Sequence, residues 1–474
     1  MRVTDVRIVS ARWYGLPVFT RVPLKFGSGV VTEAVCARVC LEVETADGRR
    51  AEGWGETPLS VQWVWPSPES YQNRLGVMEA FCNKLTEAYV RFECSGHAFE
   101  IGHRFLAEVL PGLCAAFNAG QPESLRMPTL AGIVCASPFD IALHDAYGVA
   151  HGVPVYSTYC SPWMEHDLSH YLTPAVDAAG VDFTGRFPAE YFRKSPEKRL
   201  LAWHLVGGLD PLVDGDPGSE TRPDEYPVTL GEWIAKDGLE ALKIKLRGND
   251  EEWDFERLKK VSELALPRGV RLFTADFNCT VTNPEYVNRI LDRIKSEVCE
   301  LWHRLAYVEQ PFPYELEEHP IDVHSVSQRV PLFLDESAHD WRFVRLGRQL
   351  GWNGVALKTC KTQTGALLSL CWARAHGMGI MVQDLSNPML AQIPHLLLAS
   401  HAPTLAGVET NGMQFYPKAS EVEAKVHPGI YSRIAGHVDL NSIGGPGFGY
   451  RLAEIKRSLP EIRHSATLTP ETLL

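Results

Sequence analysis

The 474-residue sequence predicts an α/β protein: a (β/α)₈ TIM-like barrel with an N-terminal α+β domain ahead of it. Three observations predict it. Strand-like apolar runs recur from about residue 201 onward, near Trp203, Leu242, Leu272, Ala306, Phe333, Val355, Met381 and Gly407, with helical stretches between them. That is the number of βα units that closes a parallel barrel. Residues 3–56 read instead as strands and 68–118 as helices, an order that suits a separate α+β unit. Finally, acidic residues close three consecutive barrel runs, in Ala275-Asp276-Phe277-Asn278, Val308-Glu309-Gln310-Pro311 and Leu334-Asp335-Glu336-Ser337.

In the N-terminal part, Val35 to Val43 is rich in β-formers, Ala46-Asp47-Gly48 makes a turn, and Gly53-Trp54-Gly55-Glu56 resumes the strand pattern, which predicts a hairpin. Val77, Phe81, Leu85 and Ala88 then take helical spacing. Ser137-Pro138-Phe139-Asp140 predicts the start of another helix, with Ser as cap and Pro in the first position. The predicted boundaries are 1–160 for the α+β domain, 161–200 for an insert or connector, 201–440 for the barrel and 441–474 for a C-terminal segment. The acidic loop Asp210 to Tyr226 follows the first barrel strand and is expected at the mouth, as a lid or as a solvated excursion.

Composition narrows the function. With 45% hydrophobic and 22% charged residues the chain can bury a large core. A net charge of −12 disfavours nucleic acid or an anionic membrane as partner, since both need clustered Lys and Arg, so a small molecule is expected. The 11 cysteines are scattered without a CxxC pair, as reduced thiols are, and no apolar run reaches the length of a spanning helix. A cytoplasmic location is the expectation from these features and from the start Met1-Arg2-Val3-Thr4-Asp5.

Barrel strands end at one mouth, so Asp276, Glu309 and Asp335 are expected to converge there, and their hard oxygens suit Mg²⁺. In Leu242-Lys243-Ile244-Lys245-Leu246 the alternation puts both lysines on the inner face and the apolar residues toward the helices. Two ammonium groups roughly 6 to 7 Å apart, at an effective dielectric near 20, repel by about 2 to 3 kcal/mol, which predicts that Lys245 is pulled toward neutrality and serves as a base. Lys358, on strand six, is placed across the barrel from Lys245, an arrangement suited to proton transfer at one carbon. Asn278, on the same face as Asp276, is expected to hydrogen-bond a ligand or substrate oxygen, Glu336 is expected to point away, and Gln383 and Asp384 end strand seven, where they are expected to contact substrate unless Asp384 simply pairs with Lys358.

Lys243-Ile244-Lys245, Asp276-Phe277-Asn278, Glu309-Gln310-Pro311, Asp335-Glu336-Ser337 and Leu357-Lys358, in this order and spacing, resemble the enolase superfamily and within it the muconate-lactonizing-enzyme-like subgroup of the mandelate racemase/muconate lactonizing enzyme family. Gly53-Trp54-Gly55-Glu56 and Ala142-Leu143-His144-Asp145 resemble pieces of that family's capping domain, and Gly445-Pro446-Gly447-Phe448-Gly449 its late glycine loop. The resemblance implies that the N-terminal unit is a capping domain to which the C-terminal segment returns. It implies an isomerase or lyase in which Asp276, Glu309 and Asp335 bind Mg²⁺, a substrate carboxylate is chelated, and its α-proton is removed to give a metal-stabilised enolate. Lys245 and Lys358 would be the acid/base pair, with Lys243 tuning Lys245. Racemisation or epimerisation and elimination or cycloisomerisation both stay open. Substrate choice would lie near Pro17 to Gly29 and Glu56 to Trp65, with Arg21, Lys25 and Phe26 as candidates, and a homo-oligomer is expected.

The chain departs from the family in three places. Lys361-Thr362-Gln363-Thr364-Gly365 stands where a glycine pair is usual, Asn387-Pro388 replaces a Glu-Ser, and Val408-Glu409-Thr410-Asn411 lacks the paired aspartates of dipeptide epimerases. A dipeptide substrate is therefore not favoured. Neither His376 nor His395 falls where a mandelate-racemase-type base would stand. The alternatives are a catalytically silent barrel acting as a binding or assembly module, and a Schiff-base lyase, which would not need the three acids. Gly445-Pro446-Gly447 has neither the preceding strand nor the following helix of a dinucleotide fingerprint.

Overall fold

A computed structural model describes residues 2–26, 29–220 and 224–468, with the backbone alone for Phe26. The chain begins with an antiparallel meander, β1 (Val6–Phe26), β2 (Gly29–Thr45) and β3 (Arg50–Pro58), in which Val6 pairs with Thr45 and Cys36 with Pro58. The predicted hairpin is β2–β3. Gly48 turns it with a φ of 81°, a conformation that costs glycine little, and its N–H donates to the Thr45 carbonyl at 2.9 Å. One sheet face buries Val39, Leu41 and Val43 against Phe81 and Leu85 of helix Tyr71–Arg91 and against helix Thr129–His151. Each such side chain contributes about 1.5 to 3 kcal/mol by leaving water.

Helix Thr129–His151 lies directly on β3. A Cβ at Gly53 would stand 2.0 Å from the Ala146 nitrogen, and one at Gly55 would stand 2.1 Å from the Pro138 carbonyl oxygen. Only glycine permits that approach. The start predicted at Ser137 is corrected: the helix begins at Thr129 and passes through Pro138. An apolar face that runs from Leu130 to Ala150 and is buried throughout offsets the one backbone hydrogen bond that proline removes, while Ser137 Oγ donates outward to the Thr359 carbonyl at 2.8 Å.

Between this helix and the barrel the chain runs through short turns. Their apolar side chains, among them Tyr159, Met164, Leu168, Tyr171 and Phe183, are buried against the barrel. Trp372 Nε1 donates to the Thr173 carbonyl at 2.9 Å and Arg193 Nε to that of Ala402 at 2.7 Å, tying the segment to two barrel helices. Its mixed composition hides a strap whose aromatic residues face inward.

The barrel follows as eight parallel strands: β4 (Arg199–Val206), β5 (Ala241–Lys245), β6 (Leu272–Asp276), β7 (Leu305–Glu309), β8 (Leu332–Leu334), β9 (Gly354–Leu357), β10 (Gly379–Val382) and β11 (Val408–Glu409). They pair in sequence from β4 to β10, and β11 pairs with β4. At the remaining seam Leu405 N–H donates to the Ile380 carbonyl at 2.7 Å. Trp203, Ala241, Tyr307, Phe333 and Met381 pack together and plug the interior, so the polar residues gather above that plug at the strand ends. The last described strand, β12 (His464–Thr467), pairs antiparallel with β1 at Ser10 to Trp13. Among the described residues no helix is long and apolar enough to cross a membrane.

Candidate active site

Asp276 and Glu309 are the final residues of β6 and β7 and stand side by side in register, while Asp335 and Lys358 directly follow β8 and β9. All four are buried, as are Lys243 and Lys245. Backbone strain gathers at the same strand ends, with positive φ at Asn278 (48°), Cys279 (62°) and Gln310 (30°).

Lys243 Nζ lies 2.5 Å from Glu309, 3.0 Å from Glu409 and 3.1 Å from Asp276. Lys245 Nζ lies 2.5 Å from Asp276 Oδ2. Lys358 Nζ lies 3.3 Å from Asp335 Oδ2 and donates to Gln383 Oε1 at 3.2 Å and to the Asp384 carbonyl at 3.3 Å. Lys361, given no role from the sequence, has its Nζ 3.6 Å from Asp335 Oδ1 and also donates to the Asp335 carbonyl.

The picture of two lysines repelling each other is corrected here. Burial disfavours charge on Lys243, but Glu309, Glu409 and Asp276 outweigh it and hold its pKa well above the ordinary value. Lys243 is thus a counter-ion before it is a neighbour of Lys245. Lys358 behaves likewise: burial opposes its charge, and Asp335 more than compensates. Of the acids, Asp276 is held below its usual range, since Lys245 and Lys243 overcome burial, and Asp335 is lowered the same way by Lys358 and Lys361. Glu309 is raised by burial, which Lys243 alone does not cancel with three other carboxylates nearby.

The remaining sequence candidates divide. Asn278 is buried, gives its N–H to Asp276 Oδ1 at 2.9 Å and has no hydrogen-bond partner on its own Oδ1 among the described residues. Asp384 lines the mouth and accepts from the Asn411 and Asn387 N–H groups at 2.8 and 3.1 Å. Arg21 lies elsewhere: it pairs with Asp224 at 2.8 Å and donates to the carbonyls of Tyr226 and Pro227, pinning the end of the acidic loop to β1. Lys25 meets the loop after β4 through its carbonyl, which accepts from Gly208 N–H at 3.4 Å. Neither lines the mouth cavity, where Leu24 represents that stretch instead. The side chain of Phe26 lies outside the described residues. Glu336, expected to point away, instead accepts from Trp63 Nε1 at 2.9 Å, because the capping domain covers this side of the barrel.

Three contributors went unassigned. Glu409 closes the last apolar run as the three acids close theirs, a signal that was present. Lys361 comes from the turn that lacks the usual glycine. Trp63, from the Glu56 to Trp65 stretch, puts its ring 5.5 Å from Lys358 Nζ and 5.6 Å from Lys361 Nζ, where a desolvated cation–π contact contributes up to about 2 kcal/mol.

Together these groups enclose a cavity of about 60 Å³ that Lys243, Lys245, Lys358, Asp335, Asp384 and Glu409 share with apolar residues of both domains. As the side chains stand, no three His, Cys, Asp or Glu among the described residues are arranged to clasp one ion. The carboxylates are drawn onto the lysines instead. The donor chemistry nevertheless fits a hard divalent cation: three carboxylates at adjacent strand ends, one of whose oxygens, Asp335 Oδ1, is buried without a hydrogen bond among the described residues.

The sequence matches the enolase C-terminal domain-like family over residues 228–456. No curated protein matches it. Among solved structures, a dipeptide epimerase from Cytophaga hutchinsonii complexed with Mg and D-Ala-L-Val is similar at 18% identity and a TM-score of 0.60, over 94% of this chain and 95% of that one. An N-succinyl Arg/Lys racemase from Bacillus cereus follows at 16%, 0.60, 94% and 95%. A muconate lactonizing enzyme from Pseudomonas fluorescens, complexed with muconolactone, gives 15%, 0.57, 95% and 99%. Residues 228–456, most of the barrel, belong to the enolase C-terminal domain-like family, and the whole chain shares its two-domain fold with these three structures.

Proposed function

We propose that this protein is a Mg²⁺-dependent enzyme that moves the α-proton of a small carboxylate substrate, with racemisation or epimerisation, or elimination or cycloisomerisation, as the outcome. One observation carries the reading: Lys245 and Lys358, from β5 and from the end of β9, line a single cavity beside Asp335. When bound by Asp276, Glu309 and Asp335, Mg²⁺ supplies positive charge beside the substrate carboxylate, which stabilises the charge left by proton removal and relieves the lysines of those acids.

The chain's own groups do the rest. Lys245 accepts the proton on one side of the α-carbon and Lys358 accepts or returns one on the other, and each must be unprotonated when it accepts. Lys243, tied to Glu309 and Glu409, holds the acids in place and adds fixed positive charge. Leu24, Val31, Val61, Leu205 and Leu385 line the cavity, so the substrate's flank is apolar and water is kept from the reacting carbon. At about 60 Å³ the cavity holds little more than water, so entry requires the capping stretches that carry Leu24, Val31 and Val61 to move outward.

Incubating candidate carboxylates with the enzyme and Mg²⁺ in D₂O tests this. Deuterium is expected at the α-carbon. Lys245→Ala and Lys358→Ala should each slow labelling about 10² to 10⁴-fold, in opposite stereochemical series if both lysines act as bases. Labelling left intact by both substitutions would refute the assignment.

A further inference from the structure

A second cavity, of about 380 Å³, lies in the seam where helix Leu110–Ala119 of the capping domain meets the barrel segment that enters helix Trp341–Leu350. It is larger than the cavity at the barrel mouth and within the size range of small-molecule sites, which are concave, mostly apolar and furnished with few polar groups. Leu106, Leu110, Ile133 and Phe343 give it apolar walls, and His339 and Lys361 stand among its lining.

His339 is the unusual member. Its side chain is only 8% exposed, its ring packs 4.8 Å from that of Phe343, and neither ring nitrogen has a hydrogen-bond partner among the described residues. Burial, reinforced by the nearby Lys361 charge, pushes its pKa down to about 4. The ring is therefore neutral at pH 7, with one N–H to give and one lone pair to take, and both are unmet. Buried polar groups are almost always paired, so an unpaired imidazole beside a cavity calls for a partner.

The charged residues around the cavity are already engaged. Lys361 is held by Asp335, and Asp340 takes the Arg342 guanidinium at 2.5 Å. A charged ligand would have to break one of these pairs, whereas a neutral one would not. We propose that this seam is a second ligand site, for a neutral apolar molecule carrying a hydroxyl or primary amide that pairs with one of the unmet ring nitrogens of His339. The site does not depend on what the barrel mouth catalyses.

Ligand-detected NMR on the full chain tests it, with benzyl alcohol and benzamide as probes and toluene and benzoate as comparators. Benzyl alcohol and benzamide should bind, with toluene weaker by about five-fold, the value of one neutral hydrogen bond, and benzoate weaker than benzamide. Ala115→Trp, which fills the cavity from an exposed helix position, should abolish binding, and Ile133→Trp serves if that variant does not fold. His339→Phe should leave benzyl alcohol no better than toluene. The proposal is overturned if no probe binds, if toluene matches benzyl alcohol on the unmodified protein, or if binding survives filling of the cavity.

Discussion

Two sets of buried ionisable side chains in this molecule are handled in opposite ways. At the barrel mouth, Lys243, Lys245, Lys358 and Lys361 are buried against Asp276, Glu309, Asp335 and Glu409, with opposite charges in contact. Under helix Thr129–His151 the partners are neutral. His144 sits between the Tyr159 hydroxyl and Thr364 Oγ1, each at 2.9 Å, and Asp145 takes the N–H groups of Trp54 and Phe448 at 2.9 and 2.8 Å. There burial dominates, pushing His144 down to about 3, Asp140 up to about 6 and Asp145 up to about 7. A network that joins domains needs only hydrogen bonds, and burial shifts each of its groups toward the neutral form. One that gathers eight ionisable side chains of both signs in a buried mouth bears a desolvation cost that structure alone does not require. The contrast supports the proposal that the mouth is the functional site, with the helix as its support.

The largest test of this contrast is Lys243→Ala. It leaves Glu309, Glu409 and Asp276 facing one another without their shared cation, and a loss of about 3 to 5 kcal/mol is expected in urea unfolding without metal. Mg²⁺ should restore more stability to this variant than it adds to the unmodified protein. The pH dependence of the support comes next. The His144 pKa lies below its unfolded value, so its contribution is complete above about pH 6.5 and is lost as pH falls toward 3, a change on the order of a few kcal/mol. His144→Gln should flatten part of the fall in Tm over that window, and Mg²⁺ should not alter the difference.

Asp140→Ala is smaller. It strips the acceptors from Thr364 N–H and Oγ1, each at 2.8 Å, and should cost about 1 to 3 kcal/mol, again without rescue by Mg²⁺. Thr362→Gly should do the reverse. Thr362 holds φ 69° and ψ 151°, a conformation populated almost only by glycine, so relief of strain exceeds the loss of its bond to Gly365 N–H, and chemical denaturation should show a gain of about 1 kcal/mol.

Thr362 also shows where the sequence was legible. The missing glycine was visible, but the backbone keeps a glycine-like turn regardless, because Lys361 on one side is anchored to Asp335 and Thr364 on the other to Asp140. The barrel was the most readable part: each strand is a short apolar run between helices, and its period is local. The strand-end acids and lysines were readable for the same reason, since position in a run fixes the face. Charge balance was not, because it depends on which residues meet across the barrel, and Glu409 meets Lys243 only after closure. Arg21 was misplaced because the loop that claims it lies some two hundred residues away. The strap between the domains was opaque because its aromatic residues follow no period.

The most direct test of the mouth as a metal-binding site is anomalous diffraction from crystals soaked in Mn²⁺, which shares the charge and oxygen preference of Mg²⁺. One strong peak is expected among the Asp276, Glu309 and Asp335 carboxylates, with the Lys245 and Lys358 ammonium groups withdrawn from them. No peak there, with the lysines still seated on the acids at saturating metal, would contradict the proposed metal site.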